Sequence, residues 1–211
     1  MVLADQARHR TSGRRYWRVT LAAVIACVAA GCGGAGSDVH VPTDPAPVAL
    51  FGPSGTEAGS DRVRLTAEPG SGGLITVHVV LGGPTTSTDL YSFAFDLVLG
   101  DPEVARYESG TAVLGTVLQP TPDQEAIVMA SQQGNRVVVG VTKNSGDEGN
   151  GVTDGEPTIV SLTFRVVDRG NCSLTIQGPP EAPASPRALD ASGAPVASLQ
   201  FDLLPATLIG S

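Results

Sequence analysis

Hydrophobic and polar residues alternate along most of the chain beyond its N-terminal part. The alternation is clearest in TIVSLTFRVV, residues 158–167, where Leu162 and Phe164 fall on one face and Ser161 and Thr163 on the other. A period of two is typical of a β-strand with one buried face and one face in water. The same period predicts further strands at 74–81, 91–99, 126–131, 136–143, 172–176 and 196–204.

Clusters of turn-forming residues separate these segments. They read EPGSGG, GGPTTSTD, QQGN, NSGDEGNG and GPPEAPASP, and Gly, Pro, Asn, Asp and Ser are the residues that tight turns favour. No run of ten or more residues has the spacing of an amphipathic helix. The chain is therefore predicted to fold as an all-β sandwich of two packed sheets.

The N-terminus has the pattern of an export signal. Five arginines, the last of them Arg18, precede an uncharged apolar stretch from Val19 to Gly31. The stretch is shorter than the ~20 residues that a membrane-spanning helix needs. It is typical of a cleaved secretory signal.

The end of this stretch, AAGC at 29–32, resembles the signal of bacterial lipoproteins, in which small residues fit the signal peptidase and the following cysteine is acylated. The resemblance implies that residues 1–31 are removed and that Cys32 becomes the lipidated first residue. Gly33, in place of an Asp, resembles the signal that lets lipoproteins leave the inner membrane, which implies the outer membrane or the cell surface. The alternative is an ordinary secretory signal in which Cys32 is incidental.

Composition divides the remaining chain into a tether and a domain. Residues 32–61 are rich in Gly, Pro, Ser and Ala, contain VPTDPAPVALFGPSG and show little periodicity. A flexible or partly extended tether is predicted there. Residues 62–211 have the size of one domain and are numerous enough to bury a sizeable core.

Net charge excludes some classes of partner. The whole chain has 13 basic and 21 acidic residues, and removal of residues 1–31 leaves 8 and 20, a net charge of −12. Such a charge repels nucleic-acid phosphates and anionic lipid headgroups. No nucleic acid is therefore expected as a partner, and membrane contact is expected only through the lipid. Cys172 remains as the single unmodified thiol, so no disulfide framework is expected.

Candidate catalytic groups are few, and an enzyme is not expected. His9 lies in the signal, His40 in the tether and His78 on the polar face of a predicted strand, and no Ser-His-Asp set emerges. Paired carboxylates of a glycosidase are conceivable in an acidic exported protein. The acids here fall in loops or on the wet faces of strands, where solubility accounts for them.

One acidic loop concentrates hard oxygen ligands of the kind that calcium takes. It reads NSGDEGNGVTDGE, residues 144–156, and its spacing does not match an EF-hand. Two interpretations remain, a solvated loop or a calcium site, and no other cofactor is expected. The candidate ligands are Asp147, Glu148, Asn150 and Asp154.

The order of features along residues 62–210 resembles the cohesin family, the β-sandwich modules with which scaffoldins hold dockerin-bearing partners. An opening strand pair, RVRLTAEPGSGGLITVHVVL, is followed by a strand that ends in an Asp-Pro turn, FAFDLVLGDPEV. A Gly-rich acidic loop then leads into a hydrophobic strand, GNGVTDGEPTIVSLTFRV, before the short strand NCSLTI and the terminal LDASGAPVASLQFDLLPATLIG. The resemblance implies a nine-stranded jelly-roll sandwich, a fold that several carbohydrate-binding modules share.

The resemblance also implies a non-catalytic module that binds a protein partner, of dockerin type or another, at the cell envelope. In this family partners dock on the sheet that contains the Asp-Pro strand. The residues that this implies are Ser92, Ala94, Asp96, Val98, Gly140, Thr142 and Lys143.

The alternative is a carbohydrate-binding module on the same fold, associated with polysaccharide degradation. Sugar binding usually uses aromatic platforms on an open face. In the chain beyond the signal, only Phe51, Tyr91 and Tyr107 are aromatic residues that the alternation does not place in the core. The poverty of aromatic residues favours the protein-binding interpretation.

Overall fold

A computed structural model describes residues 46–144, 148–179 and 185–211 of the chain. Cys32, the predicted signal at 1–31 and the candidate ligand Asp147 lie outside these residues. Within them the chain forms thirteen β-strands and no helix, hence none long and apolar enough to cross a membrane. The strands form two sheets, and the predicted all-β sandwich is confirmed.

The strands differ widely in length, from two to ten residues. In chain order they are β1 (Ala49–Gly52), β2 (Arg62–Pro69), β3 (Leu74–Leu81), β4 (Leu90–Leu99), β5 (Ala105–Tyr107), β6 (Val113–Leu114), β7 (Ala126–Gln133), β8 (Arg136–Lys143), β9 (Thr158–Val166), β10 (Gly170–Gln177), β11 (Arg187–Asp190), β12 (Gln200–Phe201) and β13 (Ala206–Gly210). The excess over the nine predicted strands includes β6 and β12, which are too short to show a period of two.

The thirteen strands are divided between two sheets. Sheet A has the spatial order β1-β13-β10-β4-β8-β7, and β11 pairs with the part of β4 that precedes its contact with β10. Sheet B has the order β12-β2-β3-β9-β5, with β6 also paired to β9. Neighbouring strands are antiparallel except β12 and β2, which run parallel. Hairpins join β2 to β3 and β7 to β8. The connections β5-β6 and β10-β11 also stay within one sheet, and the other connections cross between the sheets.

The core lies between the two sheets and follows the alternation in the sequence. On β4 the inward side chains include Phe93, Phe95 and Leu97, all fully buried, and on β9 Phe164 is buried while Thr163 reaches the surface in part. The ring of Tyr107 packs edge-on against Phe164, with 5.9 Å between ring centroids. Burying each large apolar side chain stabilises the fold by about 1.5–3 kcal/mol.

β1 lies inside the segment that was predicted to be a tether. It pairs with β13 over its whole length, with Ala49 opposite Gly210 and Gly52 opposite Thr207. The tether interpretation is therefore wrong for this stretch, and the folded domain includes residues before Arg62. Four residues between two prolines contain too few positions for alternation to reveal a strand.

The strand predicted at 196–204 is reduced to the two residues of β12. The carboxylate of Asp202 accepts hydrogen bonds from the Ser54 hydroxyl and, at 3.0 Å, from the Leu204 backbone N–H. The bond from Leu204 forms a turn directly after the strand, and the bond from Ser54 holds that turn against the segment after β1. Leu203 and Leu204 are consequently exposed in the loop that leads to β13.

Candidate protein-binding face

The outer side of β4, β8 and β7, here called the outer face, is built by regular cross-strand pairing. Ala94, Gly140 and Met129 form a row across the three strands. Cross-strand neighbours point to the same side of a sheet, so each row presents its side chains together. The adjacent rows are Ser92-Thr142-Ile127 and Asp96-Val138-Ser131, and Val98 follows beside Arg136.

The middle of the outer face is apolar and shallowly recessed. Met129 is 69% exposed, and Ile127 and Val138 are also exposed. Ala94 has only a methyl side chain and Gly140 has none, and a Cβ at Gly140 would meet no atom within 4 Å. A bulky apolar side chain from another molecule could therefore approach the backbone here, between Met129 and Val138.

Asp96 differs from the expectation that it faces solvent. It lies on the outer side of β4 by alternation, but its side chain is completely buried between the neighbouring strands. Arg136 Nε donates to its Oδ2 at 2.8 Å, and Arg136 Nη2 donates to the Gly178 carbonyl at 3.0 Å. Among the described residues Oδ1 has no hydrogen-bond partner. Asp96 is thus a buried charge that holds Arg136, and its predicted exposure is wrong.

Lys143 is the second residue whose placement corrects the sequence interpretation. On β8 the inward positions are Val137, Val139 and Val141, and Lys143 continues that series at the end of the strand, buried. Its Nζ donates to Asn150 Oδ1 at 3.2 Å. Lys143 therefore lies on the core side of sheet A and is not part of the outer face.

The acidic loop is only partly described, since Asp147 lies outside the described residues. Asn150 is buried, and its side chain accepts from Lys143 and donates to the Val117 carbonyl at 3.3 Å and to Gln124 Oε1 at 3.1 Å. An amide oxygen already bonded to an ammonium group is a poor candidate for calcium. Glu148 and Asp154 are exposed. No group of three or more His, Cys, Asp or Glu placed to hold a metal occurs in the part of the chain that the structure describes.

The outer side of sheet B brings His78 and Ser161 together, which sequence reasoning missed because the two residues are far apart in the chain. They are opposite each other on β3 and β9, with 2.7 Å between His78 Nδ1 and Ser161 Oγ. The nearest carboxylate, Glu68, is 3.9 Å from His78 Nε2 and its side chain is 82% exposed. Because Ser161 lies within a paired strand, its contact with His78 serves as a cross-strand hydrogen bond. Among the described residues, Ser161 does not have the groups around it that activate a catalytic serine.

Cys172 and the aromatic residues add no second site. Cys172 is buried at the inner side of β10, and burial raises the pKa of its thiol, which keeps the sulfur protonated and unreactive. Tyr107 is buried against Phe164, whereas Phe51 and Tyr91 are half-buried. Tyr107 is therefore covered by the core, and the side chains of Phe51 and Tyr91 are only partly exposed.

Comparison with known proteins finds solved structures with a similar fold. No family model and no curated protein matches the chain. A type II cohesin of Bacteroides cellulosolvens superposes with a TM-score of 0.52 at 12% identity, covering 70% of this chain and 98% of that one. The second type II cohesin module of the adaptor ScaA scaffoldin of Acetivibrio cellulolyticus gives 0.50 at 12% identity, covering 79% and 97%. The type II cohesin dyad of the same scaffoldin gives 0.53 at 13% identity, covering 72% and 48%.

At these identities the likeness concerns the fold, which agrees with the order of sequence features that resembles cohesins. The described chain is a cohesin-like β-sandwich.

Proposed function

We propose that the protein is a non-catalytic, lipid-anchored module at the cell envelope, and that it binds a protein partner through the outer face. The observation that carries the proposal is the composition of that face. In an acidic chain it presents exposed Met129, Ile127 and Val138 around the recess at Ala94 and Gly140. Charge-poor apolar centres of this kind are typical of protein interfaces.

The charges beside the centre of the outer face are basic or paired, whereas the exposed Glu125 lies beyond Ile127 and accepts a hydrogen bond from the Asn144 side-chain amide at 3.2 Å. Asp96 is buried against Arg136, and Arg187 on β11 lies beside Ala94 in the register. A partner with an apolar contact surface therefore meets no unpaired carboxylate among these residues. The resemblance to cohesins makes a dockerin module the first partner to test.

The test is to fill the recess without disturbing the fold. Gly140→Arg places a long charged side chain where a Cβ meets no neighbour, so the domain should fold normally and partner binding should fall at least tenfold. Thr76→Arg, on the central part of β3 at the outer side of sheet B, is the matched control. Both variants and the wild type are titrated by calorimetry against dockerin modules and against partners captured from secreted proteins. Equal binding by all three would refute the proposed interface.

Two further features belong to this proposal. The lipid on Cys32 tethers the domain to the outer membrane or cell surface, as the lipoprotein-like signal supports. Calcium binding by the acidic loop remains a proposal that rests on Glu148 and Asp154, since Asn150 is engaged with Lys143. A calcium titration followed by thermal denaturation tests it, and an unchanged unfolding midpoint in calcium would exclude a structural site.

A further inference from the structure

Met129 has an unusually accessible side chain for a methionine on a paired strand. The side chain is 69% exposed, and the strand order gives the reason. Its cross-strand neighbour on β8 is Gly140, which has no side chain to cover it. β7 is the last strand in the order of sheet A, so no further strand of that sheet flanks Met129 on the other side. Small solutes therefore reach the thioether from the surrounding water.

Few other side chains compete with Met129 for an oxidant. Beyond Cys32 the chain contains two sulfur atoms, those of Met129 and Cys172. Cys172 is fully buried, and burial raises the pKa of its thiol, so its sulfur is both covered and protonated. The single tryptophan of the chain, Trp17, lies in the predicted signal. A mild oxidant that meets the folded domain therefore reacts first at Met129.

We propose that Met129 is a site of reversible oxidation by peroxides, and that its oxidation releases the partner bound at the outer face. The inference rests on the proposed function of that face and adds a form of regulation to it. In the reaction the sulfur lone pair attacks one oxygen of hydrogen peroxide, so an S–O bond forms while the O–O bond breaks. The sulfur loses two electrons and becomes a sulfoxide. The departing hydroxide takes the proton of the transferred hydroxyl group and leaves as water.

Oxidation changes the chemistry at the centre of the outer face. The unoxidised thioether is apolar and adaptable, and it suits an apolar partner side chain in the recess at Ala94 and Gly140. The sulfoxide oxygen is a hydrogen-bond acceptor that water hydrates in the free domain. A partner that covers it must remove this water, and the neighbouring Gly140 and Ile127 have no side-chain donor to replace it. An acceptor buried without a donor should lower the affinity about tenfold or more.

The change is reversible, because a methionine sulfoxide reductase restores the thioether. Two thiols supply the two electrons and become a disulfide, and the sulfoxide oxygen leaves as water. Met129 lies on the exposed side of an edge strand, so the oxidant and the reductase both approach it from solvent without unfolding of the domain.

The first experiment measures oxidation without any partner. The full-length chain carrying Cys32→Ala, which removes the lipid, is treated with hydrogen peroxide, and peptide mass spectrometry follows the gain of one oxygen atom at Met129. Because the side chain is exposed, its oxidation rate should lie within about threefold of that of N-acetylmethionine amide. The melting temperature should not change. Oxidation that is slower by about tenfold or more, or a domain that unfolds when oxidised, would overturn the proposal.

The second experiment measures binding with a defined probe. The probe is a peptide selected from a displayed random library for binding to the unoxidised protein and for rejection by Gly140→Arg, and it is added after the peroxide has been removed. Affinity for the oxidised protein should fall about tenfold or more, and treatment with methionine sulfoxide reductase and dithiothreitol should restore it. Unchanged affinity after full oxidation would refute the regulation and leave the proposed interface standing. A library that yields no peptide rejected by Gly140→Arg would refute the interface itself, and the regulation with it.

Matched variants separate Met129 from other oxidisable positions. Each variant is judged by the ratio of its affinities before and after peroxide, so its starting affinity does not enter the comparison. Met129→Leu keeps an apolar side chain without sulfur, and its affinity should not respond to peroxide. Adding Leu203→Met to Met129→Leu places an accessible sulfur at an exposed position of the β12-β13 loop, and oxidation there should also leave the affinity unchanged. A loss of affinity on oxidation of either variant would assign the sensitivity to another residue and overturn the proposal.

Discussion

The Asp96 carboxylate has one charged partner and no surface in water. Arg136 Nε lies 2.8 Å from Oδ2, and the same guanidinium is anchored a second time by the Gly178 carbonyl. A buried charge is tolerated with its partner in place and is costly without it. The ion pair therefore holds the Arg136 side chain in place at the edge of the outer face. The Asp96 side chain itself is not available to a partner.

Replacing Asp96 tests this role. Asp96→Lys sets a buried ammonium beside Arg136, and we expect the free energy of unfolding to fall by about 3 kcal/mol or more. Ser92→Lys, on the same strand and the same side but only half-buried, should cost much less. Urea denaturation of both variants measures the difference. Equal midpoints for the two would show that the Asp96 carboxylate is not held in a buried pair.

A second residue-scale effect depends on pH. Arg64 Nε donates to Glu156 Oε1 at 2.9 Å and Nη2 donates to Oε2, and these hydrogen bonds hold the pKa of Glu156 below its ordinary value. A carboxyl group with a lowered pKa adds stability above the ordinary pKa of about 4.3, and loses it as pH falls through the lower folded-state value. The ion pair should therefore stabilise the fold at neutral pH and not in acid.

The variant Glu156→Gln should reveal that dependence. Its melting temperature should lie below that of the wild type at pH 7, and the gap should close toward pH 2. Glu103→Gln, exposed on the turn after β4, is the control and should follow the wild type throughout. A gap that stayed constant from pH 7 to pH 2 would mean that the ionised Glu156 contributes nothing.

At the scale of elements, the alternation of buried and exposed side chains on β9 determines how much each residue contributes to the free energy of unfolding. Phe164 is fully buried against Tyr107, whereas Thr163 lies on the outer side. Phe164→Ala removes core volume and should lower the free energy of unfolding by about 3–5 kcal/mol. Thr163→Ala should change it far less. Guanidinium denaturation compares the two, and similar losses for both would contradict the register of the strand.

The long strands were predictable from sequence because each has one buried face. β3 and β8 have the predicted bounds, 74–81 and 136–143, since a period of two over eight residues cannot arise from another regular element. β1 was not predictable, because its four residues depend on pairing with β13 at the far end of the chain. Short strands form where distant partners hold them, and local sequence carries little sign of that.

The outer face was predictable in part for the same reason. Alternation assigns Ala94 and Gly140 to the correct side of sheet A. It assigns direction but not exposure, so it missed the burial of Asp96 by its neighbours. Lys143 was assigned to this face by the resemblance to cohesins, whereas it lies on the core side of sheet A and its ammonium group donates to Asn150. Met129 and Ile127 were missed because the predicted interface did not include β7.

At the scale of the whole molecule, the two outer sides of the sandwich differ in charge. The outer side of sheet B carries the ion pairs Arg64–Glu156 and Arg165–Glu108, and His78 near Glu68. The centre of the outer face on sheet A carries Met129, Val138 and small residues. Charged pairs keep sheet B hydrated, and apolar burial is available on sheet A. The asymmetry favours association through one side of the sandwich.

The lipid proposed on Cys32 would attach the domain to a membrane through a short stretch of chain. Thirteen residues separate Cys32 from Ala46, where the described chain begins, and fully extended they span at most about 45 Å. An acyl chain on Cys32 would therefore keep the domain close to the bilayer, where its acidic surface is repelled by anionic headgroups. Cys32→Ala should move the protein from the detergent phase to the aqueous phase and leave the melting temperature unchanged. Cys172→Ala, which alters a buried thiol, should leave the partitioning unchanged. A Cys32→Ala variant that stayed in the detergent phase would rule out lipidation as the means of attachment.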